Sequence, residues 1–128
     1  MKVPEGRLYS EYHLWVEQEP VGLRIGMTHC GCEYLGSVDY VELPSPGQAV
    51  LKDSPFGWVE TSKAITELLA PVSGTVVESN AKLSESPEII TADSYGSGWL
   101  ILVQGSDASE IAQLMTPEEY RQLVSAEA

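Results

Sequence analysis

Phe56-Gly57-Trp58-Val59-Glu60-Thr61-Ser62-Lys63-Ala64-Ile65-Thr66-Glu67-Leu68-Leu69 holds two strand-like runs joined by the polar knot Thr61-Ser62-Lys63. The first run, residues 56–60, follows the turn signal Asp53-Ser54-Pro55; the second is residues 64–69. This pattern predicts a hairpin with Lys63 at its exposed tip. A tip lysine keeps its proton, so it is a poor nucleophile. On spacing alone it reads first as a solvated turn residue. The same exposure also suits covalent attachment of a carrier arm.

Outward from this hairpin the pattern stays β. Val21, Leu23, Ile25 and Met27 alternate with Gly22, Arg24, Gly26 and Thr28, a half-buried strand. Residues 12–16 precede it and pair with it as a second hairpin. Residues 38–43 form a strand stopped by Pro44-Ser45-Pro46-Gly47, and residues 74–78 and 98–103 complete the set. Short strands with frequent turns predict a mainly β sandwich or barrel. Leu51-Lys52-Asp53-Ser54-Pro55 returns as Leu83-Ser84-Glu85-Ser86-Pro87, a faint repeat suggesting two similar hairpin units.

The chain end reads as helix. Asp107 is positioned to cap a helix whose third residue is Glu110, with Ile111, Leu114 and Met115 on one face. Thr116-Pro117-Glu118-Glu119 is a stronger start, with Tyr120, Leu123 and Val124 sharing the next face. Two short helices within residues 107–125 are expected, as a lid on an open sandwich end.

Composition narrows the function. The 128 residues, 43% hydrophobic, fit one domain spanning 1–128. Seven basic residues against nineteen acidic ones leave a net charge of −12. That charge disfavours nucleic acid and anionic membranes as partners. The start, Met1-Lys2-Val3-Pro4-Glu5-Gly6, is polar, so no export signal is expected. The longest apolar run, Trp99-Leu100-Ile101-Leu102-Val103, is too short to span a bilayer. Cys30 and Cys32 read as free thiols of a cytoplasmic protein. No set of nucleophile, base and orienting acid is visible, so an enzyme is not expected.

Longer motifs sharpen the reading. They are His13-Leu14-Trp15, Gly26-Met27-Thr28, Leu35-Gly36, Val41-Glu42-Leu43-Pro44, residues 56–64, Ala70-Pro71-Val72-Ser73-Gly74 and Asp93-Ser94-Tyr95-Gly96-Ser97-Gly98-Trp99-Leu100. With them the chain resembles the lipoyl-carrying H-protein family of the glycine cleavage system over about residues 8–123. In that family a Glu-Ser-x-Lys-Ala motif holds the lipoylated lysine, and here it reads Glu60-Thr61-Ser62-Lys63-Ala64. The resemblance implies lipoate on Lys63, with Glu60, Ala64 and Glu67 around the attachment point. A biotin carrier shares the fold type, but its lysine is flanked by methionine, and Ser62 and Ala64 argue against it. The implied fold is a lipoyl/biotinyl-type barrel-sandwich of short antiparallel hairpins with two short C-terminal helices. The implied role is that of a non-catalytic carrier, whose tether makes each transfer a local encounter. Implied partners are a lipoate-protein ligase or lipoyl transferase, the glycine cleavage enzymes and dihydrolipoamide dehydrogenase. An acidic carrier suits partners with basic docking surfaces.

Two positions depart from the family pattern. Leu14 stands where the family has a Glu that helps hold the protonated amine of the aminomethyl cargo. Glu67, four residues after Lys63, keeps some acidic character there. His29-Cys30-Gly31-Cys32 replaces the usual Asp-Tyr-Ala-Gln. Three readings stand for these thiols: residues without a role, a metal site completed by His29 and His13, or thiols exchanging with the dithiolane, with His29 lowering a thiol pKa. No bound metal is expected. Loss of the Glu and gain of the thiols tilt the reading slightly toward an H-like branch in sulfur-oxidising prokaryotes. Those proteins carry sulfur for a heterodisulfide-reductase-like complex; the alternative is aminomethyl carriage in glycine cleavage. A non-lipoylated scaffold is disfavoured by the intact Lys63 motif.

Overall fold

The computed structural model describes residues 2–105 and 107–127. Residues 1–128 as one domain therefore include Met1, Ser106 and Ala128, which lie outside the described residues. In chain order the strands are β1 (Leu8–Tyr9), β2 (Leu14–Glu19), β3 (Gly22–Met27), β4 (Val38–Glu42), β5 (Ala49–Val50), β6 (Pro55–Thr61), β7 (Ile65–Leu69), β8 (Gly74–Ser79) and β9 (Ile101–Gly105). The helices are α1 (His29–Leu35), α2 (Lys82–Glu85), α3 (Ile89–Ala92), α4 (Ala108–Ala112) and α5 (Pro117–Glu127). One sheet has the order β1-β2-β3-β9-β8-β5, the other β4-β6-β7, and every pairing is antiparallel. This is the expected mainly β sandwich with short C-terminal helices; its two sheets do not close into one barrel.

The period-two reading of residues 21–28 explains the centre. Leu14 pairs with Met27 and Val16 with Ile25, and these side chains join the main core. Val59 and Leu68 of the smaller sheet and Val76, Ile101 and Val103 of the larger one meet them there. Burying each such side chain stabilises the fold by roughly 1.5–3 kcal/mol. Trp15 faces the other way, opposite Gly26. A Cβ on Gly26 would come within 2.4 Å of the Trp15 ring, so only glycine admits the indole. Trp15 then anchors a second cluster with Tyr9, Cys30, Tyr120 and Val124.

The helical end follows its capping signals. Asp107 Oδ1 accepts Ser109 N–H at 2.9 Å and caps α4. Thr116 and Glu119 form a reciprocal box at the start of α5: Thr116 N–H reaches Glu119 Oε1 at 2.9 Å, and Glu119 N–H reaches Thr116 Oγ1 at 3.2 Å. Glu110 does something else. Its carboxylate takes Ser73 N–H at 2.6 Å and the Ser73 hydroxyl at 2.9 Å, tying α4 to the loop before β8. Leu114 and Met115 fall beyond α4, where Met115 bridges the edge strand at Tyr9. Covering that edge removes a free strand surface.

Several expectations need correction. The repeat does not mark two alike units, since residues 51–54 form a turn and residues 83–85 lie in α2. Residues 98–100 are not yet strand, because β9 begins at Ile101. Residues 29–35, for which the sequence pattern predicts no element, form α1, with Thr28 Oγ1 accepting Gly31 N–H at 3.1 Å as its cap. No helix among the described residues is long and apolar enough to cross a membrane.

Candidate functional site

The β6–β7 hairpin turns at Ser62, Lys63 and Ala64, all exposed. Thr61 closes it twice. Its backbone N–H donates to Ala64 O at 2.9 Å, and its Oγ1 accepts the N–H of Lys63 at 3.2 Å and of Ala64 at 3.3 Å. A hydroxyl at this position stands in for the missing ladder partners of the turn. The Lys63 side chain enters solvent, and no described carboxylate lies within ion-pair distance of it. Ala64 is small enough to leave the turn open. Glu60, one residue before Thr61, accepts the indole N–H of Trp58 at 2.9 Å and is held along the strand.

Glu67 is exposed on β7 and lines a groove of about 180 Å³ between β7, β2 and α1. Leu14, Met27 and Leu68 supply apolar walls, and Tyr12 and Tyr34 stand among its lining residues. Glu67 is the one acid among the described residues that line it. Leu14 is only 1% exposed and packs in the main core. The structure thus places Leu14 and Glu67 among the residues lining one groove, Leu14 as a buried apolar group and Glu67 as an exposed residue four positions after Lys63.

His13, in the left-handed region at φ 67°, turns the chain into β2 beside this groove. Its Nδ1 lies 2.7 Å from the Tyr120 hydroxyl, which in turn lies 2.7 Å from Thr28 Oγ1. Thr28 caps α1, so one hydrogen-bonded chain joins α5, the groove wall and α1.

The thiols occupy a different kind of place. Cys30 and Cys32 are free and buried on α1. Residues two apart on a helix do not face each other: Cys32 joins the main core and Cys30 the second cluster. Burial pushes the Cys32 thiol up to about 12, and its Sγ lies 3.4 Å from Ile90 O. That burial works against the thiolate on which exchange with a dithiolane depends. His29 opens α1, with Nδ1 3.9 Å from Glu33 and 3.4 Å from the backbone N–H of Lys2. Among the described residues no group of three or more His, Cys, Asp or Glu is placed to hold a metal ion.

Tyr12, Tyr34 and Trp58 are candidates that sequence patterning does not single out. Trp58 was accessible to it: Val59 is inward, so its strand neighbour is outward. Tyr12 and Tyr34 carried no such signal, because the groove exists only once α1 folds against β2.

The family model described as "Glycine cleavage H-protein" matches residues 7–127. The chain is 46% identical to the glycine cleavage system H protein of Bacillus subtilis (strain 168) over 123 residues, 96% of this chain and 97% of the relative. It is 44% identical to that of Halalkalibacterium halodurans over 125 residues, 98% of each. The crystal structure of a glycine cleavage system H protein from Mycobacterium marinum superposes with a TM-score of 0.88 at 34% identity, covering 95% of this chain and 98% of the other. These likenesses give no support to the sulfur-carrying branch, or to its heterodisulfide-reductase-like partner, that Leu14, Cys30 and Cys32 had favoured.

Proposed function

The chain belongs to the glycine cleavage H-protein family, and on that premise we propose that it carries lipoate on Lys63 and passes an aminomethyl unit between the enzymes of glycine cleavage. Lipoate joined covalently to a lysine is the cofactor of this family. The single observation that carries the assignment is the Glu60-Thr61-Ser62-Lys63-Ala64 turn, whose lysine is exposed with no carboxylate among the described residues within ion-pair distance. Lys63 fits an acyl group because nothing around it must move to admit one. Once attached, the dithiolane supplies the sulfur that takes the one-carbon unit; the protein contributes placement.

Placement falls to the groove beside the hairpin. Leu14, Met27 and Leu68 offer an apolar floor, and Glu67 offers the charge that an aminomethyl ammonium requires. In this chain Glu67 takes the part that the family shares with a Glu at the position of Leu14. A hydrogen bond between charged groups is worth about 1.5–3 kcal/mol, or roughly tenfold to a hundredfold in retention. Its partners are the decarboxylase and aminomethyl transferase of glycine cleavage, dihydrolipoamide dehydrogenase, and the ligase or transferase that loads Lys63.

Exchange of labelled bicarbonate into glycine, with excess decarboxylase and the lipoylated chain, tests the reading. Exchange is expected, and Glu67→Gln is expected to lower it roughly tenfold or more. Absence of exchange with a fully lipoylated chain would refute the glycine reading.

A further inference from the structure

Beside Lys63 the outer face of β4, β6 and β7 alternates in both directions. Tyr40, Glu60 and Ile65 are register partners in one row, and Glu42, Trp58 and Glu67 in the next. The six form a checkerboard of three large apolar side chains and three carboxylates, with no basic residue. Tyr40 is 42%, Trp58 38% and Ile65 65% exposed. The Trp58 indole N–H donates to Glu60 at 2.9 Å, and the Tyr40 hydroxyl donates to Glu42. The polar edges of both rings are therefore satisfied within the face, which remains open to a partner.

We propose that this face is the docking surface of the enzyme that acylates Lys63, a partner presenting basic groups around an apolar centre. The inference rests on Lys63 being the attachment site. Reach selects the occupant. An unmodified lysine has only a short methylene stem, so the acylating enzyme must bring its catalytic centre onto the β6–β7 turn and cover the adjoining sheet. Later partners meet the far end of a longer arm and need not touch this face. Charge selects it again: a second copy of this chain would set carboxylates against carboxylates, whereas a basic surface is steered in and held. Exposed aromatic anchors ringed by charge suit a binding centre. In the reaction served, the neutral Lys63 amine attacks the carbonyl carbon of a lipoyl adenylate. The C–N bond forms, the C–O bond to AMP breaks, and the amine proton passes to solvent, with no change in oxidation state.

The test uses the unmodified full chain, a lipoate-protein ligase, ATP and lipoate, with acylation followed by intact mass at rising chain concentration. Trp58→Ala and Glu42→Lys are each expected to raise KM for the chain about tenfold, leaving kcat within about twofold. Added salt is expected to raise the wild-type KM and to shrink the Glu42→Lys effect. Trp58→Phe retains most of the affinity. Glu78→Lys, the same charge change on β8 of the other sheet, leaves KM unchanged. Equal melting temperatures of these variants separate docking from folding. Normal acylation of Lys63 in both Trp58→Ala and Glu42→Lys overturns the docking surface alone. Acylation that persists in Lys63→Arg overturns the attachment site, and the docking surface with it.

Discussion

Thr61 Oγ1 accepts the backbone N–H of Lys63 at 3.2 Å, so the residue two positions ahead of the lysine fixes the turn that exposes it. Thr61→Ser keeps that oxygen and is expected to acylate at the wild-type rate. Thr61→Val keeps the shape and loses the acceptor, at a cost of about 0.5–1.5 kcal/mol. The expected result is a several-fold slower initial rate of acylation by mass, without loss of fold. Equal rates for the two variants would remove Thr61 from the account.

Leu14 sits in the core, which reverses what its sequence position suggested. From sequence, restoring a carboxylate there should help an amine cargo. In the structure Leu14→Glu places a carboxylate at a site only 1% exposed. Burial raises a carboxyl pKa above its unfolded value, so the variant's stability deficit is smallest below the unfolded pKa. It grows as pH rises through the folded pKa. Thermal melts at pH 4 and pH 8 are expected to show a larger loss at pH 8, of at least about 2 kcal/mol. A deficit independent of pH would show that the new carboxylate reaches water.

Cys32 gives an alkaline prediction. Its thiol is raised from an ordinary value of 9.0 to about 12 by burial. The protonated thiol's contribution is whole below the unfolded pKa and is lost as pH climbs through the folded value. Tyr9 and Tyr120, raised by burial from 10.0, add to the same loss at higher pH. Denaturant unfolding from pH 8 to pH 11 is expected to show falling stability, with a shallower slope in Cys32→Ala above pH 9. Native Cys32 is also expected to resist alkylation until unfolding. Rapid alkylation of folded protein at pH 8 would revive the exchange reading.

What the sequence disclosed followed from periodicity and from local signals. Leu23, Ile25 and Met27 repeat every second residue, and β3 buries them as that period demands. Thr116, Pro117 and Glu119 mark the start of α5 before any packing is known. Lys63 was legible because its turn is local and its flanking residues form a motif. α1 was hidden because His29-Cys30-Gly31-Cys32 has poor helix formers and a glycine, although Thr28 and Gly36 bracket it as caps. α2 and α3 have Ala81 and Glu88 at their N-caps and no side-chain cap hydrogen bond, so no signal announced them. The groove was hidden for a different reason: it joins Leu14, Tyr34 and Glu67, which only the tertiary fold brings together.

The attachment of lipoate to Lys63 is tested most directly by intact mass with peptide mapping, after reaction of the full chain with lipoate-protein ligase, ATP and lipoate. The account predicts one lipoyl group on the wild-type chain, mapped to Lys63, and none on Lys63→Arg. A lipoyl group on Lys63→Arg, or an unmodified wild-type chain beside a control acceptor that the same ligase loads, would contradict it.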